Sequence, residues 1–344
     1  MQLKPWIVLA AVAGLAIVPT TAPAAPARSL WVSSAPITAA DSGCAKPGYN
    51  TIQSAINAAS AGATVHVCTG TYVEALAITQ PLSLVAAGPV TVELPASPAN
   101  SATACDTAPG TGAYQPDQDA IAICAAGTVN LTGLRLDAAW PANTCGDSLY
   151  GILVAGGATL NLTNSSIVAA GAVPLNGCQG GIGIQVGMAW TTPVQVGHAN
   201  LSGVRISGYQ KNGITVDGAG SSANIGATTL TGIGPTPSIA QNGIQISNGA
   251  SGLIYNSTIS GDECDAAACG PDILNSTQSI GVLFFGAAAG SSVTGSTIER
   301  QRRRRVQRRA DRTDGAGHLG GRRHAGRQSL RRRPARPGMD LGER

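Results

Sequence analysis

The sequence is short of charge. Only 12% of its 344 residues are Asp, Glu, Lys or Arg, and only three are Lys. Long helical bundles use Glu and Lys heavily, so that class is excluded. Aromatic residues make up 3% of the chain, with two Phe. Aliphatic residues are nevertheless frequent between 30 and 300, which argues against disorder there. After the first twenty residues no apolar run is long enough to span a membrane. No CxxC pair occurs and His is scarce, so a structural zinc site has little to stand on.

The net charge of +4 belongs to no single part of the chain. Residues 1–300 carry 7 Lys and Arg against 14 Asp and Glu, a net −7. Residues 301–344 carry 15 Arg, no Lys and 4 acids, a net +11. A tail of that kind would suit nucleic acid or an anionic surface. Yet Arg without Lys, mixed with Gly, Ala and Pro, is what GC-rich codons yield in a shifted frame. The expectation is a disordered Arg-rich tail over 301–344, the product of a frameshift near Glu299–Gln301, with no nucleic-acid partner.

The first 27 residues read as a secretory signal. Lys4 supplies the positive start, Trp6–Val18 the apolar stretch, and Ala22, Ala24 and Ala27 the small residues of a cleavage site. Residues 28–43 read as a linker. A secreted or cell-surface protein is expected, with no membrane span after cleavage. Eight cysteines after the signal suit an oxidising compartment. They fall as sequence neighbours, so the expected disulfides are Cys44–Cys68, Cys105–Cys124, Cys145–Cys178 and Cys264–Cys269.

Two short patterns recur. The first is Gly followed by alternating apolar residues: YGILVAGG (150–157), GIGIQVG (181–187), NGITVDG (212–218), NGIQISNG (242–249) and IGVLFFG (280–286). Its glycines, Gly151, Gly183, Gly213, Gly243 and Gly281, are 32, 30, 30 and 38 residues apart. The second appears as LTGLRL (131–136), LTNSSI (162–167), LSGVRI (201–206), IGATTL (225–230), IYNSTI (254–259) and VTGSTI (293–298). Its third place is Gly or Asn, residues that tolerate the left-handed backbone of a tight corner, except at Ala227. Strand–corner–strand units at a period near thirty are the mark of a solenoid. Ile184, Val186, Ile214, Val216, Ile244 and Ile246 should form inward columns. Leu153, Gln185, Thr215, Gln245 and Leu283 should form an outward row, with Ala155, Gly187, Asp217, Ser247 and Phe285 the next.

On these repeats the chain resembles the right-handed parallel β-helix proteins of the pectin-lyase-like class. The segment YNTIQSAINAASAG (49–62) supports the resemblance, because Ile52, Ala55, Ile56 and Ala59 share one helical face. In that class such a helix caps the first coil, and the resemblance covers about residues 44–300. The implied fold is all-β, a parallel β-helix over 44–300 with a short N-terminal capping helix.

The resemblance also implies a face to search for chemistry. Polysaccharide-cleaving members stack several acids with Arg, Lys or His there, since hydrolysis needs two carboxylates and elimination needs a base with cations. The outward rows here hold one carboxylate, Asp217. The catalytic candidates are therefore Arg205, Lys211 and Asp217, for a polysaccharide-lyase-like reaction. Arg135, Asp137, Trp140 and Trp190 are the substrate-binding candidates. In the loop 261–272, Asp262, Glu263, Asp265 and Asp272 would offer oxygen ligands to Ca²⁺. With charge so sparse, the leading expectation is a non-catalytic glycan-binding, envelope or adhesion module. Its partner would be an extracellular polysaccharide or cell-envelope glycan. The alternative is a carbohydrate-active enzyme of lyase type acting on acidic polysaccharide.

Overall fold

The computed structural model describes residues 28–96, 115–140, 147–265, 278–299 and 306–309, together with Cys145 and Cys269. All belong to one compact unit, Met1–Arg309. The predicted signal, 1–27, lies outside the described residues. Among those described, no helix is long and apolar enough to cross a membrane.

Strand β1 (Ser29–Val32) and helix α1 (Ile52–Ala58) come first. The helix buries Ile52, Ala55 and Ile56, as its periodicity predicts. Thr51 caps its start, accepting from Ser54 N at 3.2 Å. The Glu74 carboxylate accepts from Ile52 N and Gln53 N at 2.8 and 2.9 Å, satisfying two more of the free amides at that end. The next strands are β2 (Thr64–Val73), β3 (Leu76–Ile78), β4 (Ser83–Glu93), β5 (Gln115–Ile123) and β6 (Gly127–Trp140).

Three-strand coils follow. They are β7 (Asp147–Val154), β8 (Ala158–Thr163) and β9 (Ser166–Ala172); then β10 (Ile182–Val186), β11 (Gly197–Ser202) and β12 (Arg205–Ser207). The next two coils are β13 (Asn212–Asp217), β14 (Ser222–Gly226) and β15 (Thr229–Thr231), and β16 (Asn242–Ser247), β17 (Ser251–Tyr255) and β18 (Thr258–Ser260). The last is β19 (Ile280–Phe285), β20 (Ser292–Thr294) and β21 (Thr297–Glu299), after which comes β22 (Val306–Arg309). Each strand pairs in parallel with its counterpart one coil away. One sheet runs β3-β5-β7-β10-β13-β16-β19-β22, and the remaining strands form a fourteen-stranded sheet. This is a right-handed parallel β-helix.

Register bears out the predicted columns. Ile184 pairs with Ile214 and Ile214 with Ile244, while Val186, Val216 and Ile246 form the parallel column; all six are fully buried. The outward row holds as well, Leu153 facing Gln185, then Thr215, Gln245 and Leu283.

The column of glycines has a steric cause. A Cβ on Gly151, Gly183, Gly213 or Gly243 would sit 2.5–2.7 Å from the carbonyl oxygen of the equivalent glycine in the next coil. The glycines of the second pattern have a different cause. Gly133, Asn164, Gly203, Ala227, Asn256 and Gly295 all take positive φ, between 47° and 75°. They turn the chain between the second and third strands of a coil.

Asparagines fill one outer line of the larger sheet. Asn161 donates to Asn130, Asn200 to Asn161, and Asn224 to Asn200, at 2.8–2.9 Å. Of the Asn-x-Ser/Thr triplets, those at Asn130, Asn161 and Asn200 belong to this ladder, and those at Asn164 and Asn256 to the corners.

The expected boundaries need correction at both ends. The segment read as a linker contains β1, which pairs with β2 and buries Leu30 and Val32. Four residues gave too short a pattern to read as a strand. At the other end β22 falls inside the segment expected to be disordered, because the edge of β19 offers unpaired backbone groups whatever side chains follow. Residues 310–344 lie outside the described residues. The disulfides Cys44–Cys68, Cys145–Cys178 and Cys264–Cys269 are present as expected. Cys124 is also disulfide-bonded, while Cys105 lies outside the described residues.

Candidate functional site

The outer face of the smaller sheet carries the site. Two inserts rise beside it. One precedes β10 and is tied by Cys145–Cys178 to the segment before β7. The other, Met188–Gln195, separates β10 from β11 and closes on itself through the paired backbones of Met188 and Gln195. Thr191 Oγ1 donates to Met188 O and accepts from Gln195 N, both at 2.9 Å, so the loop is held from within. It carries Trp190, whose side chain stays 39% exposed. Between the inserts and the sheet lies a cavity of about 270 Å³.

Its floor comes from three coils. Gln185, Thr215 and Gln245 contribute the central row, with Asn212 at the start of β13 and Asp217 at its end. Asn212 Nδ2 donates to Thr215 Oγ1 at 2.8 Å, and Asn242 Nδ2 donates to Asn212 Oδ1 at 3.0 Å. Ser148, Tyr150, Gln179, Trp190 and Asn248 add to the walls. Gln185 is fully buried, and its Nε2 donates to Gly187 O at 2.6 Å. Its Oε1 has no hydrogen-bond partner among the described residues.

Asp217 is already engaged. Its carboxylate accepts from Ala189 N at 2.8 Å, Ser247 Oγ at 2.7 Å and Asn248 Nδ2 at 2.7 Å. The first of these bonds latches the Trp190 insert to the coil beneath it, and the other two tie that coil to the next. A carboxylate so used is a positioning group and is poorly placed to take a proton. Lys211 lies at the opposite end of β13, six residues away, which at ~3.3 Å per residue is about 20 Å. Its Nζ donates to Ala240 O at 2.9 Å, and burial lowers its pKa from the ordinary lysine value.

The predicted catalytic set therefore separates. Lys211 and Asp217 line one cavity but stand at its two ends. Arg205 lies on β12, in the other sheet, exposed on a different face of the coil. Arg135 and Arg205 do occupy equivalent positions two coils apart, with Ser166 between them. Arg135 pairs with Asp137 at 3.7 Å on a solvent-exposed face away from the cavity. Trp140 is a correction. It is a substrate-binding candidate in the sequence, but Leu134, Leu136, Ala138 and Trp140 alternate inward along β6 and the ring is fully buried. Trp190 alone among the predicted binding residues reaches the site.

The predicted calcium loop also divides. Asp262 is fully buried and accepts from Tyr209 OH at 2.5 Å, so it points into the interior. Glu263 and Asp265 remain partly exposed on the loop. Asp272 lies outside the described residues. No cluster of three His, Cys, Asp or Glu forms among the described residues.

The floor residues Asn212, Thr215, Gln185 and Gln245 were missed as site residues. A signal for them was there. Asn recurs at 212 and 242 and Gln at 185 and 245, one or two coils apart, and buried amides need partners.

Stacked coils of this geometry, with a cavity over one outer sheet, define a parallel β-helix. Similar solved structures include a pectate lyase, 12% identical, covering 79% of this chain and 77% of its own with a TM-score of 0.44. An alginate lyase from Paenibacillus sp. strain FPU-7 is 13% identical, covering 78% and 99%, with a TM-score of 0.35. The pectin methylesterase from Aspergillus niger is 16% identical, covering 84% and 93%, with a TM-score of 0.35. No protein-family model matches the sequence, and no curated protein is recognisably similar to it.

Proposed function

We propose that the protein is an extracellular, non-catalytic glycan-binding β-helix whose site is the cavity over β7, β10, β13 and β16. One observation carries the reading. The cavity is lined mainly by amides, hydroxyls and one half-exposed indole, with Lys211 at one end, while its only carboxylate among the described residues is consumed in bonds to an insert and to the next coil. Amides and hydroxyls exchange hydrogen bonds with sugar hydroxyls, and an indole face covers the apolar side of a sugar ring. The volume lies near the lower end of ligand-binding pockets, about 300–1,000 Å³, and suits one or two sugar residues. The disulfides fit an oxidising compartment, and with it an extracellular or envelope polysaccharide partner.

The test is calorimetric titration of the full chain with a panel of plant, algal and bacterial oligosaccharides. Trp190→Ala should weaken whichever binds by at least about tenfold, roughly 1.4 kcal/mol. An unchanged affinity in that variant would remove the cavity from consideration. A lyase reading keeps one supporting observation, the burial-lowered pKa of Lys211 beside the cavity. Incubation with polyuronides, with and without Ca²⁺, decides it. Ultraviolet-absorbing unsaturated product that disappears in Lys211→Met would establish elimination, and silence would leave the binding reading.

A further inference from the structure

Resting on the reading of the cavity as a sugar site, we infer that its ligand is an uncharged sugar, and that Gln185 selects it by accepting a hydrogen bond. Three features lead there. First, the Gln185 amide is oriented: Nε2 is committed to Gly187 O, so Oε1 is the atom left over. That oxygen is buried on the cavity floor with no donor among the described residues. A buried acceptor without a donor is unfavourable. A ligand relieves it only by bringing a donor, either a hydroxyl or the N–H of an acylated amino sugar.

Second, the same atom disfavours a carboxylate set against it. A carboxylate is acceptor-only when ionised, so at Oε1 it would set lone pairs against lone pairs. Asp217, one residue row further along the floor, adds a negative charge on that side.

Third, the described lining holds a single cation to offset this. Lys211 stands about 20 Å along the strand from Asp217 and already donates to Ala240 O. A polyuronide chain would bury several carboxylates against amides with a single ammonium available at one end. Desolvating unpaired carboxylates is costly. A neutral chain meets no such penalty.

The experiment uses the full, disulfide-bonded chain. Cello-, manno- and N-acetylglucosamine oligomers are titrated beside oligogalacturonate and oligoguluronate, at low and at physiological salt. A neutral oligomer should bind with an affinity indifferent to salt, and the uronates at least about tenfold more weakly. Gln185→Met should weaken the neutral ligand on the order of tenfold, the worth of one well-made hydrogen bond of ~1.4 kcal/mol. Its melting temperature should hardly move, because it exchanges one unpaired acceptor, Oε1, for another, Gly187 O. If that variant does not fold, mono-O-methylated versions of the bound oligomer probe the wild type instead. Methylation at one position should then produce the same loss.

The inference is overturned if a uronate binds more tightly with an affinity that falls with salt. It is overturned equally if no neutral oligomer binds, or if neither Gln185→Met nor any methylation matters. Trp190→Ala separates the two levels. If that variant loses binding while Gln185→Met does not, the cavity stands as the site and Gln185 is not its reader.

Discussion

Two kinds of glycine hold this chain together, and single substitutions tell them apart. Gly213 has an ordinary backbone, but a Cβ there would meet Leu230 Cδ2 at 2.5 Å and Gly243 O at 2.7 Å. Gly213→Ala must push two coils apart, and we expect a loss of about 3 kcal/mol, the upper end for overpacking. Gly157 has φ of +79° and nothing within 4 Å of a built Cβ. Gly157→Ala should lose only about 1 kcal/mol, the strain of the left-handed region. Chemical denaturation of the two variants tests the contrast. Ala227 is the converse case, the one Ala among the six corner residues, at φ +47° and exposed. Ala227→Gly should raise stability by about 1 kcal/mol, read as a higher denaturation midpoint. A drop would show that the corner is not strained.

Among the elements, the Met188–Gln195 insert is the one that makes a site out of a flat sheet. Asp217→Ala removes its latch and strands Ala189 N, Ser247 and Asn248. The coil should survive, since Ile214 and Val216 remain buried on the inner side. Hydrogen exchange should rise across 188–195 and leave β13 protected. Uniform protection would mean that the insert's own Thr191 bonds suffice. The strands themselves were legible in the sequence, because alternation and a thirty-residue period are local signals. The inserts were not. Nothing in AAWPANTC marks Trp140 as the end of an inward-facing strand until its alternation is counted back to Leu134. Nothing in GDECD shows that Asp262 turns inward to Tyr209, a partner 53 residues earlier. The cavity's amides went unread for another reason: chemistry was sought in charge, and this floor is built mainly from neutral groups.

For the whole molecule, two buried ionisable groups set opposite slopes in stability against pH. Burial and the neighbouring Asp262 raise the pKa of Tyr209 well above its ordinary value. Above about pH 10 the unfolded chain releases that proton while the folded chain keeps it. The unfolded state then binds fewer protons, and stability falls as pH rises. Lys211 works the other way. Burial lowers its folded pKa, so between that value and about 10.4 the unfolded chain binds more protons and stability climbs with pH. Stability should therefore rise on the alkaline side and turn down beyond about pH 10. In urea titrations across that range, Tyr209→Phe should flatten the descending limb and Lys211→Met the ascending one. A downturn unchanged in Tyr209→Phe would assign it elsewhere.

The glycine column also makes the protein divisible. Residues 212–241 form one whole turn, bounded by Lys211 before it and Asn242 after it, and they contain one member of the column. With that turn removed, Gly183 would lie against the Gly243 carbonyl as it now lies against that of Gly213, and Ile184 against Ile244. Such a molecule keeps the register of the glycine and isoleucine columns and loses Asn212, Thr215 and Asp217. A change in the number of turns is thus also a change in what the chain can recognise. Duplication or loss of a thirty-residue unit adds or removes a coil at little cost to folding, and changes in one event which side chains make up the binding floor.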